Sequence, residues 1–113
     1  MNDSDRERLR HMLDASREAI SFVQGRTADD LTNDRMLLLS LVKELEIIGE
    51  AASRISAEGR SETNDIPWAK VIGMRNRLTH GYFDWDLGAI WSTLKSNLPD
   101  LVQSLEKALS SVE

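Results

Sequence analysis

Apolar residues recur along this chain every three to four positions, the spacing that places them on one face of an α-helix. The first series runs from Asp3 or Ser4, either of which can cap a helix, to Gly25, a residue suited to end one. His11 lies among charged neighbours in this helix and is predicted to be solvated. The buried face is predicted to contain Leu9, Met12, Leu13, Ser16, Ala19, Ile20 and Val23.

A second series predicts a long helix from about Thr32 or Asn33 to about Ala57. Its apolar positions cover more than one stripe, which indicates a central helix that touches two neighbours or a second subunit. Gly49 is small enough to let another helix approach closely, although ordinary core packing explains it equally well. Three acids of this helix are expected at a solvated edge: Glu44, Glu46 and Glu50. For Glu50, the alternative is that it orients Arg75.

A polar loop is predicted from Glu58 to Asp65, after which Pro67 is suited to the first turn of a third helix. That helix should end near His80 and Gly81. Its buried side is predicted to contain Trp68, Val71, Ile72, Met74 and Leu78.

An aromatic turn from Tyr82 to Trp85 follows, and Asp84 or Asp86 is suited to cap a fourth helix. The pair Leu98-Pro99 is expected to break the chain before a fifth helix. The three tryptophans are predicted to anchor the core, with base stacking left open for Trp85. Because no segment alternates with the period of a strand, the predicted fold is an all-α, up-and-down bundle of four to five helices in one domain over residues 1–113.

Composition narrows the possible functions. The chain is 41% hydrophobic and 29% charged, and it has neither an apolar run long enough for a membrane span nor an apolar segment after its charged N-terminus that would mark a signal peptide. There is no cysteine, and the two histidines are far apart, so we expect neither a metal site nor a cofactor. A cytoplasmic protein that self-associates is predicted.

The net charge of −5 argues against general nucleic-acid binding, but the charge is unevenly distributed. The stretch from Ile66 to Phe83 contains Lys70, Arg75 and Arg77 and no acid. Such a local basic spot favours local contact with a single strand over long electrostatic tracking along a duplex.

The chemistry concentrates between Arg75 and Tyr82, where two guanidinium groups, an amide, an imidazole and a phenol occur together. Arginine presents a planar fork of donors that suits phosphate, and histidine can give or take a proton near neutral pH. This combination indicates an anion site that could transfer a phosphoryl group. On spacing alone, a chance arrangement with a capping histidine remains an alternative.

Three ordered motifs resemble the HepT-like branch of the HEPN superfamily. They are Glu46-Ile47-Ile48-Gly49-Glu50-Ala51-Ala52, then Ile66-Pro67-Trp68 with Gly73-Met74-Arg75-Asn76-Arg77-Leu78 and His80-Gly81-Tyr82-Phe83, then Trp91 with Asn97-Leu98-Pro99-Asp100-Leu101. The resemblance implies a metal-independent endoribonuclease toxin that leaves a 2′,3′-cyclic phosphate. In it, His80 would be the acid or base, Arg75 would stabilise the phosphate, and Asn76 would bind phosphate or hold His80. Arg77 would bind phosphate or be a surface charge, and Tyr82 would stack a base or pack its ring.

Arg75 and His80 would differ by about 140° around a straight helix. The helix must therefore unwind near His80, or two copies must face each other. The resemblance implies the second, a homodimer with both motifs in one cleft.

The same resemblance implies a control point at Tyr82, modified with AMP by a cognate minimal nucleotidyltransferase that acts as the antitoxin. The competing function is a non-catalytic subunit that helps such an enzyme bind its nucleotide or substrate, with Arg75 and His80 only as phosphate ligands. A purely structural adaptor is a third possibility, but it leaves the cluster of polar groups around Arg75 unexplained.

Overall fold

The computed structural model describes residues 1–81 and 84–110, together with the helical backbone of Ser111. Within these residues the chain is helical and contains no strand, which confirms the predicted fold class. The helices are α1 (Asp3–Phe22), α2 (Asp30–Asn33), α3 (Arg35–Ser53), α4 (Ala57–Glu62), α5 (Trp68–His80), α6 (Leu87–Ser92) and α7 (Leu98–Ser111), with a π-helical turn over Thr93–Asn97.

The helix α3 is central, as its wide apolar surface predicts. It packs against α1 on one side and α5 on the other, while α1 also packs against α7. Buried side chains come from all four of these helices, and the fully buried ones include Leu9, Met12, Leu41, Leu45, Ile48 and Leu105. The two neighbours of α3 are thus helices of the same chain.

The helix starts differ from the prediction. Asn2, rather than Asp3 or Ser4, caps α1, since its side chain accepts a hydrogen bond of 2.7 Å from the Asp5 amide. The long helix begins at Arg35 because Asp34 has extended backbone and accepts from the Leu37 amide at 3.1 Å. Thr32 and Asn33 belong to the separate turn α2, and α3 ends at Ser53.

The prediction of a polar loop from Glu58 to Asp65 is wrong for the first part of this range, where the chain forms α4. Ser56 caps this short helix by accepting from the Gly59 amide at 3.0 Å. The buried carboxylate of Asp5 in turn accepts from the amide and hydroxyl of Ser56, which ties α4 to the start of α1. A polar composition therefore hid a capped helical turn.

The break expected at Leu98-Pro99 is also wrong, because the chain stays helical from α6 to α7. The Leu98 amide donates to the Thr93 carbonyl, five residues back, which widens the helix by one residue. Proline lacks an amide hydrogen, and its ring crowds the carbonyl four residues earlier in a regular α-helix. The wider π turn accommodates Pro99 without ending the helix.

The prediction that the acids of α3 are solvated is wrong for Glu44. Its side chain is buried between α3 and α1, and its Oε2 atom has no hydrogen-bond partner. Burial raises the pKa of the Glu44 carboxyl to about 7, and the neighbouring Glu18 carboxyl raises it in the same direction. Glu46 is half-buried and Glu50 is exposed.

The tryptophans anchor the core as predicted. Trp68 is buried and donates from its indole nitrogen to the Thr63 carbonyl at 3.2 Å. Trp91 packs against the core from α6. Trp85, left open by the sequence, packs there too and donates to the Leu78 carbonyl at 3.0 Å.

Candidate active site

The helix α5 carries the residues predicted to act on RNA, and it runs without interruption from Trp68 to His80. The helix therefore does not unwind before His80, and the arrangement that required such unwinding is wrong. Arg75 and His80 diverge by about 140° around the axis of α5. Within one chain they point to different sides of the helix.

Arg75 is held against α3 by the absence of a side chain at Gly49. An ideal Cβ built at Gly49 would overlap the Cβ of Arg75, so α5 approaches α3 at this point more closely than any other residue at position 49 would allow. The small residue expected to admit another helix thus admits α5. The Arg75 side chain keeps 26% of its exposure, and its Nε is buried without a hydrogen-bond partner.

Two polar contacts align α5 with α3. An oxygen of Glu50 lies 3.5 Å from Nη1 of Arg75, and the other oxygen lies 3.0 Å from Arg54. One turn away on both helices, the Thr79 hydroxyl donates to Glu46 at 3.4 Å. Glu50 is exposed, as predicted, and it also pairs with the Arg75 guanidinium, as the alternative for this acid requires.

An open groove of about 810 Å³ lies over α3, with α1 and α5 as its walls. Arg75 and Thr79 line the α5 side. Four acids line the same groove, Asp3, Glu7, Glu46 and Glu50, and so do four further basic residues that sequence reasoning did not select: Arg8, His11, Lys43 and Arg54. They come from separate helices, so only tertiary packing brings them together with Arg75. His11 is exposed, as predicted, and pairs with Glu7 at 3.2 Å.

His80 and Asn76 lie on the exposed side of α5. The Nδ1 atom of His80 is 2.8 Å from the backbone carbonyl of Asn76. A carbonyl only accepts hydrogen bonds, so Nδ1 carries the proton when the imidazole is neutral, and Nε2 then presents a lone pair. Asn76 thus orients His80 through its backbone and leaves its own amide in solvent.

Lys70 and Arg77 do not share the groove of Arg75. They line a second groove of about 590 Å³ on the other side of α5, against α7 and the π turn. Both side chains are exposed. The structure therefore separates the predicted basic cluster onto two faces of one helix.

Tyr82 lies outside the described residues. The chain on either side of it is fixed by two contacts: the Trp85 indole bonds to Leu78, and the Asp84 amide donates to the Gly81 carbonyl at 2.9 Å. The aromatic turn predicted from Tyr82 to Trp85 can be described only for Asp84 and Trp85.

Along α5, Arg75 packs against α3, and His80 follows five residues later on a different, exposed side of the helix. This stretch lies within a match to a known family. A model described as "Ribonuclease HepT-like" matches residues 12–108. The chain belongs to the HepT-like ribonuclease family. This HepT-like chain is 30% identical over 107 residues to the probable ribonuclease HepT of Thermococcus cleftensis, a match that covers 95% of the chain and 97% of the relative.

Two further relatives of the HepT-like chain are named only as candidate RNases. One, from Caldanaerobacter subterraneus subsp. tengcongensis, is 34% identical over 101 residues, with 89% of the chain and 90% of the relative covered. Another, from Methanocaldococcus jannaschii, is 30% identical over 98 residues, with 87% of the chain and 90% of the relative covered. No solved structure matches the chain.

Among the described helices, none combines the length and apolar character needed to cross a bilayer.

Proposed function

We propose that this ribonuclease cleaves RNA endonucleolytically, without a metal ion, and leaves a 2′,3′-cyclic phosphate. The observation that carries the proposal is the state of the two reactive groups: Arg75 is fixed by Gly49 and Glu50, and His80 presents Nε2 to solvent at the end of the same helix. One group is suited to bind phosphate and the other to move a proton.

In the proposed reaction, Nε2 of His80 takes the proton of a ribose 2′-hydroxyl, and the 2′-oxygen forms a bond to the adjacent phosphorus. The bond from phosphorus to the 5′-oxygen then breaks, that oxygen takes a proton from solvent water, and His80 returns its own proton to solvent. Negative charge grows on the phosphoryl oxygens during the attack, and Arg75 stabilises it. A positioned base or acid of this kind contributes about 10²–10⁴-fold in rate.

We further propose that the enzyme works as a homodimer in which Arg75 of one copy and His80 of the other meet at one phosphate. The support is twofold. Arg75 and His80 diverge on a continuous α5, and the outward side of α3 exposes Met36 (82%), Leu39 (40%) and Ile47 (38%). Ile47 also lines the groove of Arg75, so apolar surface suited to a second copy adjoins the site.

The proposed biological role is that of a toxin, silenced when a cognate minimal nucleotidyltransferase attaches AMP to Tyr82. The support is the position of Tyr82 two residues after His80, which matches the family motif. The added phosphate would compete with RNA for the basic residues of α5.

The direct test is incubation of RNA with purified protein in EDTA, with end-group analysis of the products. Wild type should release 2′,3′-cyclic phosphate ends, while His80→Ala and Arg75→Ala should not. Arg17→Ala, at an arginine whose ion pair with Glu106 lies outside the groove of Arg75, serves as the control. Equal cleavage by wild type and His80→Ala would reveal a contaminating nuclease and favour the non-catalytic binding subunit.

A further inference from the structure

One exposed face of α5 forms a ridge that leads to His80. Lys70, Gly73, Arg77 and His80 follow one another at spacings that place them on the same side of a helix. Several arginines of the bundle pair with carboxylates, for example Arg17 with Glu106 at 2.6 Å. Within residues 1–81 and 84–110, Lys70 and Arg77 make no ion pair. Their charges remain available to an anion.

The guanidinium of Arg77 lies beside Gly73, in ordinary contact with it. The Nη1 atom of Arg77 lies 3.7 Å from the position that a Cβ would occupy at Gly73, so the guanidinium lies back along α5 toward Lys70. The two charges are therefore directed to one stretch of the helix surface. Arg77 itself precedes His80 by about one turn, or about 5 Å along the axis.

The opposite wall of the adjoining groove includes the π turn and carries polar groups beside Leu98 and Leu101. Asn97 from this turn and Ser104 from α7 face Lys70 and Arg77 across a space of about 590 Å³. The π turn is where Pro99 is accommodated, and such turns often occur at functional sites because they redirect side chains. Asp65 and Asp100 also line the groove. Carboxylates repel phosphates but accept hydrogen bonds from exocyclic amino groups of bases.

We propose that this groove is a subsite for the single-stranded RNA nucleotides next to the cleaved phosphate. Arg77 and Lys70 bind consecutive backbone phosphates, and Asn97 forms hydrogen bonds with a base. The subsite rests on the proposed ribonuclease function, and it adds that the enzyme recognises a stretch of strand rather than one phosphodiester. It lies on the side of α5 away from Arg75, so binding and transition-state stabilisation are separate tasks of the two arginines.

The test compares a decanucleotide with a dinucleoside monophosphate as substrates for wild type, Arg77→Ala and Asn97→Ala. Lys95→Ala is the matched control, because Lys95 belongs to the same π turn but lies over the Trp91 ring, 5.6 Å from its centre. Arg77→Ala should lower kcat/KM on the decanucleotide by about tenfold, the loss expected for one hydrogen bond to a charged group, and Asn97→Ala by about threefold, as for a hydrogen bond between neutral groups. Cleavage of the dinucleoside monophosphate should be unchanged.

A binding measurement distinguishes phosphate from base contacts without catalysis. With a fluorescent, fully 2′-O-methylated decanucleotide, Arg77→Ala should flatten the slope of log affinity against log salt by about 0.7. Asn97→Ala should weaken binding without changing that slope. Equal losses on both substrates, or no loss on the decanucleotide, would overturn the subsite while wild-type cleavage still upheld the ribonuclease. A wild type that cleaves neither substrate would instead overturn the proposed function.

Discussion

At the interface between α3 and α5, the Cβ of Arg75 fills the space that a side chain at position 49 would need, and Gly49 leaves that space free. The glycine therefore does more than reduce bulk in the core. It sets the depth at which the Arg75 guanidinium reaches Glu50, and hence the position of the group proposed to stabilise the transition state.

Replacement of Gly49 by alanine should displace α5 and Arg75 together. We expect the free energy of unfolding to fall by about 1–3 kcal/mol, as for other overpacked interiors, and RNA cleavage to fall with it. Urea denaturation and initial cleavage rates measure the two effects. Gly88→Ala is the control, because its new Cβ would lie 3.4 Å from the nearest atom, on Asp86, and it should lower neither stability nor cleavage. Normal activity of a folded Gly49→Ala protein would contradict this role of the glycine.

Glu50 is expected to act as a positioning residue for Arg75. Glu50→Ala should lower kcat by about tenfold through misplacement of the guanidinium, with little change in KM. Glu50→Gln keeps an oxygen within reach and should restore part of kcat. The surface ion pair itself should contribute under about 1 kcal/mol to stability. Glu106→Ala, which removes the partner of Arg17 outside the groove of Arg75, is the control. Identical kcat values for Glu50→Ala and wild type would exclude this role.

The buried Glu44 predicts a pH dependence of stability. Its pKa is about 7 in the fold, against an ordinary value of 4.5, so the folded state holds a proton that the unfolded state releases at lower pH. Stability from this group is complete below about pH 4.5 and is lost as the pH rises to about 7, on the order of 1–3 kcal/mol.

Urea denaturation at pH 5.5 and pH 8 tests this prediction. Glu44→Gln should be less sensitive to pH than wild type and should be the more stable protein at pH 8. Glu58→Gln, at an exposed carboxylate on α4, should follow wild type. Parallel pH profiles for wild type and Glu44→Gln would show that Glu44 is ionised in the fold.

The sequence predicted best where local rules decide the structure. The extent of α5 follows from its apolar spacing and from Pro67 before it, and Asp86 caps α6 as one of two predicted candidates, accepting from Ala89 at 3.0 Å. Pro99 shows the limit of such rules, since a π turn removes the conflict that normally ends a helix.

The candidate site was predicted by residue type but not by arrangement. Helical geometry alone separates Arg75 from His80, and it could also have separated Arg75 from Lys70 and Arg77. The groove residues Arg8 and Lys43 have no local signal, because they meet Arg75 only when α1 and α5 pack on α3. Glu44 looked solvated because its burial depends on α1.

Tyr82 is expected to be the point of control, a prediction that rests on the family motif. Tyr82→Phe should keep the fold and much of the RNA cleavage, yet escape silencing by a co-expressed nucleotidyltransferase. Intact-mass spectrometry after co-expression should find adducts of AMP units only on chains that retain Tyr82. Adducts that persist on Tyr82→Phe, or a Tyr82-modified protein with full activity, would rule this control out.

The central claim is that one active site uses Arg75 of one copy and His80 of the other. Arg75→Ala and His80→Ala proteins, each inactive, should regain cleavage when subunits are exchanged, because each mixed dimer then contains one site with both residues. The measurement is the RNA cleavage rate before and after exchange, with the dimer confirmed by sedimentation. The account predicts recovery of about half the wild-type rate per mixed dimer. Mixed dimers that form but remain inactive would contradict it.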